Sequence, residues 1–274
     1  MRQMLKAWLI LVTVALLTWP FLFPVTTLAD DPGSVADHVV ISEFTTRGSE
    51  SAYDEFVELY NPTNSEKDIG NWKLQYWTGT KWVDKLTIPA NTKILSHHFY
   101  LMASSSEHFK TIPADLYHSS YLGFADGSST DPRGVRITDS SGVVVDTVVY
   151  GGTGGGDDPD NQAEGDTLAP NHGTTPNNRS VQRKASSAST ADSLAPGGSE
   201  AGFGNGWDTN NNGNDFVRQI HGRDPQNSGS TPLPPIPELP TIILFSAGLI
   251  ALATFLVLKR RNREVKAIES HPSP

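Results

Sequence analysis

The sequence predicts an all-β fold, a two-layered antiparallel β-sandwich, and two observations support this class. From Asp37 onward, short runs rich in β-branched and aromatic residues alternate with clusters of Gly, Pro, Asn, Asp and Ser, a pattern typical of a multi-strand domain. Two of these clusters, residues 78–80 and 140–142, carry a glycine suited to a tight hairpin turn. The predicted strands are residues 38–44, 55–60, 73–77, 81–86, 93–95, 99–103, 134–139, 143–150 and 180–184.

The N-terminal segment, residues 1–29, is typical of a cleavable signal peptide. Basic residues precede an apolar run over residues 7–23, and small residues stand at Thr27 and Ala29. An uncleaved N-terminal membrane helix is the alternative, although Pro20 interrupts the run. Both interpretations predict that the central part of the chain is exported.

The C-terminal part of the chain contains an uncharged apolar run, residues 241–258, that is long enough to cross a bilayer. This run predicts a transmembrane helix, with a buried core helix as the alternative. Residues 259–274 start with a basic cluster and predict a cytoplasmic tail, because positive residues beside a span stay inside. The Pro-rich residues 227–240 predict a semi-rigid stalk between the domain and the membrane.

A short motif, Pro237, Glu238, Leu239 and Pro240, stands directly before the apolar run. The order of this motif, the apolar run and the basic cluster resembles the archaeal C-terminal sorting signals of the PEF type, and the resemblance implies processing by an archaeosortase. Leu239 stands where that family usually has Phe, and the tail is longer than usual. A plain stop-transfer anchor is therefore the alternative.

Composition excludes several classes of function. The formal net charge of -9 repels phosphate backbones, so we expect no nucleic-acid partner. The chain has no cysteine, which excludes disulfides, thiolate nucleophiles and Cys-based zinc sites. The exported domain must therefore be stabilised by packing alone.

Several segments, read in order, resemble one known family. They are VVISEF (39–44), DEFVELYNPT (54–63), DIGNWKL (68–74), GVRITD (134–139), GVVVDTVVYG (142–151), SVQR (180–183) and DTNNNGNDF (208–216). Together they resemble the lamin tail domain over about residues 36–226. The resemblance implies an immunoglobulin-like antiparallel β-sandwich that acts as an adhesive or scaffolding module and is not a catalyst.

Acidic residues in or beside the first two predicted strands leave two interpretations open. Glu43, Asp54, Glu55 and Glu58 are expected to pair with backbone groups or cations, because buried charges need partners. A paired-carboxylate acid/base site is the alternative, and it would need a positioned nucleophile or water. A related hypothesis is a small exported hydrolase that uses loop carboxylates between residues 151 and 214.

A loop rich in Asp and Asn has the pattern of the first half of a calcium site. Oxygen-bearing side chains at Asp208, Asn210, Asn212 and Asp215 alternate around a glycine, which predicts calcium as the one possible cofactor. Gln219 stands where a full loop has its bidentate Glu. A plain turn before a last strand, with Phe216 docked in the core, is the alternative.

Aromatic residues cluster around the first hairpin at Trp72, Tyr76, Trp77 and Trp82. Period-two alternation predicts that half of them pack in the core. The rest could form a platform for glycan or protein partners. One glycosylation acceptor, Asn178, lies in the sequon 178–180.

These observations predict a non-enzymatic adhesion, binding or scaffolding module at the cell surface. The expected partners are envelope or extracellular proteins or glycans, and the membrane, reached through the C-terminal segment. The alternatives are the small exported hydrolase and an envelope structural protein that self-associates through open sheet edges.

Overall fold

The predicted strands build two large sheets in the computed structural model, which describes residues 34–48, 51–152, 162–173, 178–237 and 246–260. In chain order the strands are β1 (Ser34–Val35), β2 (Val40–Thr45), β3 (Phe56–Tyr60), β4 (Lys67–Asp68), β5 (Lys73–Trp77), β6 (Trp82–Thr87), β7 (Lys93–Ile94), β8 (Phe99–Ala103), β9 (Leu116–Tyr117), β10 (Arg133–Thr138), β11 (Val144–Gly152), β12 (Ala169–Pro170), β13 (Ser180–Arg183), β14 (Trp207–Asp208) and β15 (Phe216–Gln219). Short helices are α1 (Ala191–Leu194) and α2 (Asn212–Asp215).

The strands confirm the all-β prediction. A five-stranded sheet has the order β12-β11-β10-β5-β6, and a six-stranded sheet has the order β15-β13-β2-β3-β8-β9. Neighbours are antiparallel except for the pairs β11–β12 and β8–β9. Six strands have two residues each, namely β1, β4, β7, β9, β12 and β14. Only β7 lies within a predicted strand, 93–95, and the sequence pattern does not predict the other five, because so short a strand shows little alternation.

Tight turns connect the hairpins where the glycines predicted them. Gly79 has φ of 92° and Gly142 has φ of 85°, left-handed conformations that favour glycine. The β5–β6 turn is closed by the Thr78 N–H, which donates to the Lys81 carbonyl at 3.1 Å.

Strand β3 is buried on both of its faces. Val57 and Leu59 belong to the core between the two large sheets. On the opposite face, Phe56 and Tyr60 pack into two smaller apolar clusters. The mixed polarity of this strand therefore has a physical reason: its outer face is covered by more of the chain instead of facing water.

The segment that covers this outer face is residues 220–234, which we call the C-terminal strap. Leu233 packs beside Tyr60, whose hydroxyl donates to the Leu233 carbonyl at 2.6 Å. The Leu233 N–H donates to the His97 carbonyl at 3.0 Å. The strap therefore contacts the sandwich as far as Pro234. The first part of the segment 227–240, which was predicted to be a stalk, thus lies against the domain.

Only part of the predicted membrane segment is described. Residues 246–260 are helical, and their side chains are exposed. Within the described parts of the chain, no helix combines the length and the apolar character that crossing a bilayer requires. The predicted signal peptide over 1–29 and the motif residues Glu238, Leu239 and Pro240 lie outside the described residues.

Candidate functional site

A buried arginine joins the two large sheets. The Arg183 side chain is fully buried, and its Nη2 donates to both carboxylate oxygens of Asp146 at 2.9 and 2.8 Å. Its Nε donates to the Ile41 carbonyl at 2.9 Å and its Nη1 to the Trp207 carbonyl at 3.2 Å. The guanidinium lies 4.5 Å from the centre of the Phe216 ring. Such a charge is stable in the interior only because its donors are satisfied.

Two further carboxylates face the same guanidinium. Oxygens of Asp208 and Asp215 lie 3.4 and 3.9 Å from Nη1 of Arg183. Burial opposes the charge of Arg183, but the attraction of Asp146 and the other carboxylates outweighs it and raises the pKa of Arg183. Burial also raises the pKa of Asp215 to about 6, although Arg183 counteracts this. These two predicted calcium ligands thus surround a cation that the protein itself supplies.

The other two predicted calcium ligands have structural roles. The Asn212 side chain accepts the Val149 N–H at 2.8 Å and donates to the Thr147 carbonyl at 2.8 Å, so its amide pairs with β11 as a neighbouring strand would. Asn210 adopts a left-handed conformation with φ of 51°, and its N–H donates to Asp208 at 3.0 Å. The loop therefore closes the edge of β11 and leads into the last strand.

Phe216, which starts that last strand, is buried in the main core, as the plain-turn interpretation expects. Among the described residues, no three His, Asp or Glu side chains are placed to hold one metal ion. Calcium binding at this loop stays a prediction. We expect the unfolding temperature to be the same in millimolar calcium and in chelator, because Arg183 already neutralises the carboxylates. If calcium instead raises the unfolding temperature, and Asp208→Asn abolishes that rise, the loop is a calcium site.

Glu55, which directly precedes β3, holds neighbouring loops in place. Glu55 accepts the N–H groups of Gly123 and Phe124 at 2.8 and 2.5 Å and the Ser104 hydroxyl at 3.1 Å. Burial raises the pKa of Glu55, although these hydrogen bonds counteract it. The structural interpretation of this carboxylate is therefore the one that the geometry supports.

Asp54 fixes the C-terminal strap to the sandwich. Its carboxylate pairs with Nη2 of Arg223 at 2.5 Å, and both side chains are buried. The same guanidinium nitrogen donates to the Thr111 hydroxyl at 2.7 Å. The Cζ atom of Arg223 lies 5.8 and 5.7 Å from the centres of the Phe56 and Phe109 rings. This ion pair is part of the interface between strap and sheet.

Glu43 and Glu58 are opposite each other on β2 and β3, and each is less than 5% exposed, at 2% and 3%. Glu58 accepts the Ser42 hydroxyl and the Gln226 N–H, both at 2.5 Å. Burial raises the pKa of Glu43 to about 7. Burial and the neighbouring Glu43 raise the pKa of Glu58 well above its usual range. The strap covers this carboxyl pair, so its geometry is that of a buried contact and not of an open acid/base site.

The aromatic residues near the first hairpin divide between core and surface as predicted. Tyr76 is in the main core, with its ring 5.1 Å from Phe124. Trp82 is partly buried and lies 5.5 Å from the Trp77 ring. The Arg136 guanidinium stacks on Trp82 at 4.2 Å. This side of the five-stranded sheet is thus a mixed aromatic and polar surface.

An exposed aromatic group that the sequence did not predict lies at one end of the sandwich. Tyr53 and Tyr121 are each 45% exposed, and their rings are 4.5 Å apart. The His108 ring is 5.3 Å from Tyr53. We call these three residues the tyrosine patch. They come from three separate loops, so no local sequence pattern indicates that they meet.

Two predicted modification sites can be placed in part. Asn178 is exposed, as a glycosylation acceptor must be, and its modification stays a prediction. Pro237, the first residue of the sorting motif, is also exposed.

Comparison with known families agrees with the fold. The model of the lamin tail domain matches residues 32–152, which include strands β1 to β11. No curated protein matches the chain. Strands β13 and β15, which complete the six-stranded sheet, lie beyond the matched residues. Over residues 32–152, the chain therefore carries a match to the lamin tail domain, a family of immunoglobulin-like β-sandwiches.

Proposed function

We propose that this protein is a non-enzymatic binding or scaffolding module displayed outside the membrane, which engages an envelope protein through the tyrosine patch. The observation that carries the proposal is the pair of half-exposed rings of Tyr53 and Tyr121, which contact each other at 4.5 Å with an angle of 31° between their planes. Tyrosine provides a large amphipathic contact area at a low cost in conformational entropy, and it is enriched in protein interfaces. The lamin tail match supports a binding or structural module.

The carboxylates that a hydrolase would need have other partners. Glu164 accepts the N–H of Thr147 at 3.0 Å, at the edge of β11. Asp208 and Asp215 face Arg183. In the described part of the region 151–214, these contacts favour structural roles for the buried carboxylates. The hydrolase alternative therefore has no geometric support from them.

Self-association through sheet edges is also less favoured than binding by the patch. Edge strand β6 contains a register shift opposite Leu74 and Gln75, and it carries the charged Asp84 and Lys85. Bulges and charges are the features by which sheet edges resist pairing with another chain. One edge of the six-stranded sheet, β15, is partly covered, since Arg218 donates to the Asn171 carbonyl at 2.5 Å.

Display at the surface is proposed from the two ends of the chain. A signal peptide over 1–29 would export the domain, and residues 241–258 would anchor it, either as a transmembrane helix or until an archaeosortase removes them. The strap ends next to the Pro-rich residues before this anchor, so the sandwich would stay close to the membrane. Asn178 would carry a glycan on the outer side.

The experiment is co-purification from the envelope. We expect the full-length chain in the membrane fraction of producing cells, where it captures a defined protein from solubilised envelope. The double variant Tyr53→Ser/Tyr121→Ser should capture at least about tenfold less of this protein, because paired aromatic anchors supply much of an interface's binding energy. Leu95→Ser is the matched control, since Leu95 is 52% exposed but lies outside the patch.

Two results would overturn the proposal. One is recovery of the chain in the cytosol. The other is equal capture by the wild type and the double variant in quantitative mass spectrometry, with circular dichroism showing that both are folded.

A further inference from the structure

Two arginines lie close together at one end of the sandwich. Arg218 belongs to β15, and Arg179 directly precedes β13. Nη1 of Arg179 and Nε of Arg218 lie 2.9 and 3.7 Å from the position that a Cβ on Gly173 would take. The missing side chain at Gly173 therefore allows two cations to approach the same point. We call Arg179 and Arg218 the arginine pair.

The described part of the protein does not neutralise the arginine pair. Nε of Arg218 donates to the Asn171 carbonyl at 2.5 Å, and its Nη2 donates to the Asn171 side chain, so both acceptors are uncharged. Nε of Arg179 is buried and has no hydrogen-bond partner. Among the described residues, neither guanidinium forms an ion pair with Asp or Glu. Burial lowers the pKa of Arg218, and the charge of Arg179 lowers it further.

This arrangement is unfavourable for the free chain. Like charges repel, and a buried donor without an acceptor lowers the free energy of unfolding. Both arginine residues are partly exposed, so an external group can reach them. A guanidinium offers a planar fork of donors that matches the two oxygens of a carboxylate. The missing component of the pair is therefore an anion from outside the described chain.

The arginine pair is at the same end of the sandwich as the tyrosine patch. One loop connects them, since it starts with Tyr121 of the patch and continues to Asp126, which pairs with Nη2 of Arg47 at 2.8 Å. The Thr45 hydroxyl lies 2.5 Å from the Arg47 carbonyl oxygen and 3.1 Å from the Arg179 carbonyl oxygen. The contacts thus run from the patch to the pair without leaving this end.

The strand order places the two features within the area of one protein interface. The relevant part of the six-stranded sheet has the order β15-β13-β2-β3-β8. Thr45 on β2 is opposite Phe56, which follows Tyr53 by three residues on the same end. Neighbouring strands are about 4.8 Å apart, so four spacings cover about 19 Å. A standard interface is roughly 30 Å across, so one partner surface can contact both features.

We propose that the arginine pair binds a carboxylate side chain of the same envelope protein that the tyrosine patch contacts. The inference rests on the proposed function and deepens it, because it states the chemistry of the partner surface: an Asp or Glu beside an apolar contact. Tyrosine and arginine are both enriched in protein interfaces. An acidic polysaccharide is the less favoured partner, since the net charge of -9 repels an extended polyanion.

The first measurement is capture of the envelope protein by full-length variants at low salt. Arg179→Gln/Arg218→Gln should capture at least about tenfold less of it. Arg179→Lys/Arg218→Lys should restore only part of the capture, because lysine keeps the charge but lacks the planar fork. Capture by the wild type should weaken as salt is raised, and the residual capture by the Gln variant should not. Arg136→Gln is the matched control, since Arg136 stacks on Trp82 away from the pair.

Arg179→Gln alone separates binding from folding. The Arg179 guanidinium has no partner within the described residues, so its removal should leave the unfolding temperature equal to or above that of the wild type. Capture should still fall at least about fivefold. An arginine with only a structural role would lower the unfolding temperature instead. The comparison is repeated with Asn178→Gln in every chain, because a glycan on Asn178 would stand next to Arg179, and the same differences are expected there.

A second measurement uses acetate as a carboxylate probe and needs no partner. When acetate replaces chloride at constant ionic strength, the Nε–H signals of Arg179 and Arg218 should shift saturably in NMR spectra of the full-length chain. The Arg136 signal should not. If no protein is captured at all, the proposed function fails, and the acetate titration still decides whether the pair binds a carboxylate.

Three results would overturn the inference. One is the absence of any acetate response at the pair. Another is equal capture by the wild type and Arg179→Gln/Arg218→Gln when Tyr53→Ser/Tyr121→Ser has lost it. The third is arginine-dependent binding of polygalacturonate, an acidic polysaccharide, while protein capture does not depend on the arginines.

Discussion

Replacing Arg183 with Met lowers the free energy of unfolding by about 3–5 kcal/mol, the usual cost of removing one partner of a buried ion pair. The substitution leaves Asp146 buried without its cation and exposes Asp208 and Asp215 to one another's charge. It also removes donors from two backbone carbonyls. Chemical denaturation at pH 7 measures the effect.

A second variant separates the lost charge pairing from lost packing. In Arg183→Met/Asp146→Leu, the unpaired carboxylate is removed, so we expect part of the stability to return. Recovery should be incomplete, because Asp208 and Asp215 still lack their cation. If Arg183→Met alone unfolds with the midpoint of the wild type, the cluster does not join the sheets as the geometry indicates.

Raising the pH from 5 to 8 destabilises the protein, and Glu43→Gln reduces this dependence. The pKa of Glu43 is raised from 4.5 to about 7 by burial. Below pH 4.5 the carboxyl is neutral in both folded and unfolded chains. As the pH rises from there through 7, only the unfolded chain ionises without cost, so folded stability is lost. A tenfold change in proton affinity equals about 1.4 kcal/mol, so the loss is about 3 kcal/mol.

Groups packed around Glu43 from several elements act on its pKa, and burial decides the direction. Glu58 lies across the strand pair, and Asp224 of the strap adds a second negative charge. Arg223 counteracts them from the strap, and Ser180 counteracts them from β13. Thermal unfolding at pH 5 and pH 8 measures the dependence. Stability that is flat or rising over this range in the wild type would show that the carboxyl pair is not held in a desolvated site.

Glu164 provides an internal comparison for the same measurement. Burial and the charge of Asp146 raise its pKa to about 9, so the loss of its contribution starts at the same pH as that of Glu43 and ends at a higher pH. In Glu43→Gln, Glu164 and Glu58 should therefore still make stability fall between pH 5 and 8, and the Glu164 contribution should continue to about pH 9. The two carboxyls are in different parts of the fold, so their effects should be close to additive.

The candidate sites show that a local sequence pattern does not predict which partner a carboxylate has in the folded protein. The loop 208–215 carries the oxygen-bearing residues of a calcium loop, yet its Asp side chains face Arg183 and its Asn212 amide caps β11. Whether a carboxylate meets a metal ion or an arginine depends on residues far away in the chain. The acidic residues in and before β3 were correctly expected to have partners, but only the fold identifies Arg223, Gln226 and the loop at Gly123 as those partners.

The sequence by itself determined the all-β class, the main strands and the hairpin turns, because alternation of side chains and the backbone preferences of glycine act over a few residues. Only the tertiary structure decided that the strap covers the outer face of β3, that one buried arginine joins the sheets, and that Tyr53, His108 and Tyr121 meet. These contacts bring together segments that are distant along the chain. Their free energy comes from burial and charge pairing in the folded state, which no local pattern encodes.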